Sequence, residues 1–158
     1  MPSSQKKRTE NLIIFTIKSG TLIEVLAVLH ATPEFENHYS IEDLNHRLKK
    51  TQHLILVAYD KEHPIGFKIG FDRFKDGSFY TWMGSVLPPY RRGGIAKALA
   101  RKQESWAVQQ GFTSIRLKTR KKYKTMIAFA ENSGFTLVEE IAKIPEAETR
   151  LLFEKTLT

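Results

Sequence analysis

Cysteine is absent from the sequence of 158 residues. That excludes disulfides, thiolate metal sites and a cysteine nucleophile, and it is compatible with a cytoplasmic protein. No apolar run approaches the ~20 residues of a membrane-spanning helix, and the first residues lack the apolar core of a secretory signal. No membrane association is therefore expected. Neither common phosphate-loop pattern, G-x-x-x-x-G-K-[ST] or G-x-G-x-x-G, occurs. Repeats, linkers and low-complexity blocks are also missing. So are zinc-ligand spacings, a basic heptad region and an RNP-like aromatic motif, and nucleic acid is not the expected partner. No metal site is expected either.

What is present reads as one globular domain, with residues 1–10 as a polar tail. The chain is 41% hydrophobic and 27% charged, outside the range of disordered sequences. Lys and Arg number 25 against 17 Asp and Glu, a net charge of +8. Such a balance suits a polyanionic ligand or an acidic surface. The densest cationic cluster is Arg116, Lys118, Arg120, Lys121, Lys122 and Lys124. It reads either as a solubilising face or as a rim for a phosphate-bearing ligand.

The chain is organised around Ser78–Gly111. Phe79, Tyr80, Thr81, Trp82 and Val86 favour a strand over Ser78–Val86, which Pro88 and Pro89 end. Arg91-Arg92-Gly93-Gly94-Ile95-Ala96 then opens a helix with Ile95, Leu99 and Trp106 on one stripe and Gly111 as its stop. A glycine turn entering a helix aims unpaired N–H groups and the positive end of the helix dipole at one spot, which attracts phosphate. Arg91 and Arg92 add charge there. The same residues also serve as a plain strand-to-helix connection.

The spacing Arg91-x-x-Gly94-x-Ala96, led by Val86, Pro88 and Tyr90, resembles the acetyl-CoA loop of the GNAT N-acetyltransferase superfamily. Met126-Ile127-Ala128-Phe129 and Gly134-Phe135 fall where that family ends its last core helix and enters the next strand. The resemblance spans about Leu54 to Phe153. It implies transfer of an acetyl group from acetyl-CoA to a primary amine of a small molecule or protein, by direct attack in a ternary complex. The alternative is a catalytically silent acyl-CoA-binding or sensing module. The cofactor would be held by Ser85, Val86, Leu87, Arg91, Arg92, Gly93, Gly94, Ile95, Ala96 and Lys97, with Tyr123 and Met126 from the later helix. Many members place a glutamate near the position of Tyr80 and a tyrosine acid at the position of Ala130, and this chain has neither. Asp72, Tyr80 and Glu36 are the catalytic candidates, with Asp72 first. Asp76, Glu34 and His63 are further candidate bases.

The remaining pattern gives the order β-α-α-β-β-β-α-β-α-β-β. This points to an α/β fold with a mixed, strongly twisted sheet of about six to seven strands and helices on both faces. A first strand is expected over Asn11–Lys18. Thr21 and Glu24 have capping-box spacing, and Ser40 is expected to cap a second helix. The loop between these helices resembles the acceptor-lining segment of the family. Glu34, Phe35 and Tyr39, with Trp82, are the candidate acceptor contacts. Gly84, near the end of the organising strand, reads as a bulge or a packing position opposite Trp82 or Trp106. Phe71, Phe74 and Phe79 are expected to be partly exposed, which would suit a homodimer.

Overall fold

A computed structural model describes residues 14–35 and 39–158. The expected tail and the start of the first strand lie outside the described residues, as does Glu36. Seven strands form a mixed sheet in the order β1-β2-β3-β4-β5-β7-β6. They are β1 Thr16–Ser19, β2 His53–Asp60, β3 His63–Phe71, β4 Ser78–Val86, β5 Ser114–Arg120, β6 Thr136–Ile141 and β7 Arg150–Thr156. Four α-helices are described: α1 Leu22–His30, α2 Ile41–Leu48, α3 Ile95–Gln109 and α4 Lys124–Asn132. The order of elements is the expected one.

Two compact units divide the chain. The first takes the described residues up to Ile69 and Met83–Gln103, and the second takes Gly70–Trp82 and Glu104–Thr158.

In the first unit β1 pairs antiparallel with β2, Thr16 opposite Tyr59 and Ser19 opposite Leu56. The strand therefore lies later than the apolar run suggests, and Ile14 is exposed. β2 is apolar on both faces, from Leu56 through Tyr59, as a strand covered on both sides must be. Lys61, with φ 57°, makes the turn into β3. α1 begins at a complete capping box, in which Thr21 Oγ1 accepts from the Glu24 amide at 3.3 Å and Glu24 accepts from the Thr21 amide at 2.9 Å. α2 starts the same way on Ser40, with Asp43 in the reciprocal role. Val25, Val28, Leu29, Leu44 and Leu48 from these helices are buried, as are Phe67, Ile95 and Leu99. Each such side chain contributes about 1.5–3 kcal/mol through removal from water. Gly84 is explained by close approach, because a Cβ there would stand 3.2 Å from the carbonyl oxygen of Phe67.

In the second unit β4 and β5 form a parallel ladder, Ser78–Tyr80 against Ser114–Arg116. β7 pairs antiparallel with β5 and with β6, the latter with a register shift between Leu137 and Glu139. Phe79 packs edge-on against Trp106 and tilted against Phe112, with ring centroids 5.1 Å apart in each pair. Phe79 is 0% exposed and Phe71 7%. These two rings are core, which corrects the expectation for Phe71 and Phe79, while Phe74 is half-buried as expected. One half-buried ring is not an exposed patch that would suit a homodimer. α3 ends in a Schellman motif: Phe112 N–H donates to the Ala107 carbonyl and Gly111 N–H to the Val108 carbonyl, each at 3.0 Å. Gly111 supplies the left-handed residue the motif needs, φ 92°. α4 ends likewise at Gly134, φ 91°, with Phe135 N–H donating to the Ala130 carbonyl.

Candidate functional site

The site in the first unit is the turn between β4 and α3. Pro88–Tyr90 forms one 3₁₀ turn, closed by the Tyr90 and Arg91 amides on the Leu87 and Pro88 carbonyls. The chain then enters the left-handed region twice, at Arg92 with φ 67° and at Gly94 with φ 83°. A non-glycine residue in that region is strained, and such strain concentrates at binding sites. The first helical bond runs from Ala98 N–H to the Gly94 carbonyl, which makes Gly94 the N-cap. No hydrogen bond from the amides of Arg92 to Lys97 occurs among the described residues. Alternating backbone hands followed by a helix start gather N–H dipoles into an anion-binding concavity. A Cβ on Gly94 would meet nothing within 4 Å, so the space beside Gly94 is open.

Three side-chain contacts fix the turn. Tyr90 donates its hydroxyl to Asp60 at 3.0 Å, which raises the phenol's pKa. Arg91 Nε donates to the Val86 carbonyl at 2.8 Å. Its two terminal nitrogens donate to the two carboxylate oxygens of Glu34 at 2.6 and 3.0 Å. The hydrogen bond from Arg91 holds the Glu34 carboxyl below its ordinary value of 4.5. Arg91 thus braces the loop against the segment after α1, and its cation is shared with an acid. Sequence spacing gave no sign of this bond. Arg92 is exposed and has no ion pair among the described residues.

At the end of β4, Leu87 N–H donates to the Ile65 carbonyl at 2.9 Å, toward β3. Neighbouring residues of a strand point their backbone groups to opposite sides. The N–H and C=O of Val86 are therefore turned away from β3, and the Arg91 contact meets that carbonyl. Ser85 Oγ lies 2.8 Å from Thr32 Oγ1, and Thr32 Oγ1 also donates to the Val28 carbonyl at 2.8 Å. A hydroxyl carries one proton, so Ser85 is the donor between the two hydroxyls. Thr32 is a neighbour of Ser85 that the sequence did not mark.

The other candidates fall as follows. Phe35 and Tyr39 are half-buried, and Tyr39's carbonyl lies 3.3 Å from His30 Nε2. In the second unit, Asp72 Oδ1 accepts from the Lys75 amide at 3.2 Å, and Oδ2 lies 3.7 Å from the Lys75 ammonium. Tyr80 is buried, with the Arg73 guanidinium 4.8 Å above its ring. Trp82 packs edge-on to Phe71 with centroids 5.7 Å apart. Asp76 holds its own turn, accepting from Ser78 Oγ at 2.6 Å. Tyr123 and Met126 are exposed on α4, and Ala130 is 0% exposed.

No group of three or more His, Cys, Asp or Glu residues that could hold a metal occurs among the described residues. No helix among them is long and apolar enough to cross a membrane.

Comparison with known proteins gives a matching family model, described as the acetyltransferase (GNAT) family, over residues 23–135. Solved structures with the same fold include the ribosomal-protein-S18-alanine N-acetyltransferase of Escherichia coli. It is 16% identical, with TM-score 0.76 over 92% of this chain and 95% of that one. Ard1 of Thermoplasma volcanium is 18% identical, with TM-score 0.77 over 92% and 99%. The PaiA N-acetyltransferase of Thermoplasma acidophilum, solved in complex with coenzyme A, is 16% identical, with TM-score 0.72 over 91% and 99%. At these identities the likeness is one of fold. No curated protein sequence matches.

Proposed function

Because the chain belongs to the acetyltransferase (GNAT) family, we propose that it moves the acetyl group of acetyl-CoA onto a primary amine of a small molecule or protein, by direct attack in a ternary complex. The observation that carries this reading is the run of amides from Arg92 to Lys97, without internal partners, before the open space at Gly94. Those amides and the α3 dipole suit a diphosphate, with Arg92 as the cation beside it. Tyr123 and Met126 remain candidate contacts from α4.

The Val86 N–H, turned off β3, is a donor for the arm of the cofactor or for the carbonyl oxygen as it gains charge. A donor in that role contributes roughly 3–4 kcal/mol to the barrier. The attacking nitrogen must shed a proton, because a lysine-like amine is charged at neutral pH. We assign that proton to Asp72, which directly follows β3. Tyr80 and Glu36 are the alternatives. The carbon–nitrogen bond forms as the carbon–sulfur bond breaks, and the thiolate takes its proton from solvent. Ala130 carries no hydroxyl to give it one.

Acetyl-CoA should raise the melting temperature, and Gly94→Asp, which sets a carboxylate before the amides, should abolish the shift. A flat melting curve at saturating acetyl-CoA overturns the reading. The buried Ala130 favours a second reading, a binding module without turnover. Thiol release over an amine panel separates the two, since turnover on any amine ends the second.

A further inference from the structure

One face of the second unit holds more positive charge than its acids neutralise. Arg116 of β5 is in register with Tyr80 of β4. Lys118 follows two residues on, and so lies on the same face. Across the β5–β7 ladder Lys118 faces Leu152, and Arg120 faces Arg150. The flanking cations are paired, Arg116 with Asp76 at 3.2 Å and Glu154 at 2.9 Å, and Arg120 with Glu148 at 2.9 Å. Glu148 also takes Lys122 at 2.7 Å, so its contact with Arg150 is a distant 3.8 Å. Arg150 also donates to the Glu148 carbonyl at 2.8 Å.

Lys118 and Arg73 have no ion pair among the described residues, and Lys118 is half-buried. Burial, then the charges of Arg73 and Arg150, push its ammonium below the ordinary lysine value, and Glu139 is the acid that works against them. An ammonium partly withdrawn from water with two guanidinium neighbours is a poor arrangement until an anion joins it. The same face carries an aromatic wall. Phe71 stands edge-on to Tyr80 at 5.6 Å and to Trp82 at 5.7 Å, and Arg73 covers Tyr80.

We propose that Arg73, Lys118 and Arg150 bind the carboxylate or phosphate of an acidic compound, whose apolar part packs on the half-buried Trp82. Under the acetyltransferase reading, on which this last step alone rests, that compound is the amine acceptor or its acetylated product.

The test needs no cofactor. Trp82 and Trp106 are the chain's two tryptophans. In a Trp106→Phe background, Trp82 fluorescence is titrated with N-acetylleucine, N-acetylleucinamide and butyl phosphate. A saturable change is expected with one or both anions, at least tenfold weaker with the neutral amide. Lys118→Gln and Arg73→Gln should each weaken it tenfold or more, and Lys49→Gln on α2 should leave it unchanged. Saturation by the carboxylate alone or the phosphate alone identifies which anion the face takes, and either supports the proposal. Absence of saturation by both anions, equal binding of the amide, or wild-type binding by the two variants overturns it. Arg73 is exposed, so its variant carries the test if Lys118→Gln does not fold. Failure here leaves the acetyl-CoA melting shift intact, and failure of that shift leaves this titration intact.

Discussion

Glu34 and Arg91, 57 residues apart in sequence, meet through both carboxylate oxygens and both terminal guanidinium nitrogens at 2.6 and 3.0 Å. The loop before α3 is thereby tied to the segment after α1. The pair is exposed, so its stability contribution is about 0–1 kcal/mol. Its effect is geometric, since Arg91 also holds the Val86 carbonyl.

Glu34→Gln should cost less than about 1 kcal/mol at neutral pH. The Glu34 carboxyl is depressed in the fold, chiefly by the Arg91 hydrogen bond, from an ordinary 4.5. A depressed acid stabilises above its unfolded pKa and loses that contribution as pH falls through the folded one. The urea midpoints of wild type and variant should differ at pH 7 and converge below pH 4.5. A constant gap across that range would show that the charge is not what matters.

Thr32→Val should destabilise more than Ser85→Ala. Thr32 is 4% exposed. Valine there leaves the Ser85 hydroxyl without its acceptor, about 1–3 kcal/mol, and removes one of the two donors to the Val28 carbonyl, which keeps the Ala31 amide at 3.1 Å. Ser85→Ala leaves the Thr32–Val28 bond intact and should cost about 1 kcal/mol. Equilibrium unfolding of both variants checks the order.

Tyr59 should ionise late. Burial, then its bond to Glu24, pushes its phenol up to about 12 from an ordinary 10.0. A phenol whose pKa is raised on folding stabilises fully below its unfolded value, and that stability fades as pH climbs from 10 toward 12. Absorbance titration at alkaline pH should show a late tyrosinate that Tyr59→Phe removes.

Ala130→Tyr, which restores the hydroxyl many GNAT members carry, should lower stability by about 1–3 kcal/mol through overpacking. Ala130 is 0% exposed and its carbonyl closes the end of α4. Ala130→Ser should fold normally. A stable tyrosine variant with raised kcat would show that the position does open toward the sulfur.

Much of this was legible in the sequence where punctuation is local. β4 occupies Ser78–Val86 as read, because Gly77 precedes it and Pro88 follows. Thr21 with Glu24, and Ser40, cap their helices as read, since capping depends on a spacing of three residues. Among the described residues β1 begins at Thr16 and not at Ile14 or Phe15, because pairing with β2 selects Thr16–Ser19. The amides before α3 were legible from two glycines. The Arg91–Glu34 bond and the Thr32–Ser85 pair were not, because tertiary contacts between distant segments leave no periodic trace.

Arg92 has a backbone of φ 67°. Valine and isoleucine at this position clash with their own main chain before any question of charge arises. A saturation library selected for folding alone should therefore return glycine and asparagine. Arginine or lysine should outnumber them only when the selection also demands a bound anion. The ratio of those two outcomes separates what this residue does for the turn from what it does for a ligand.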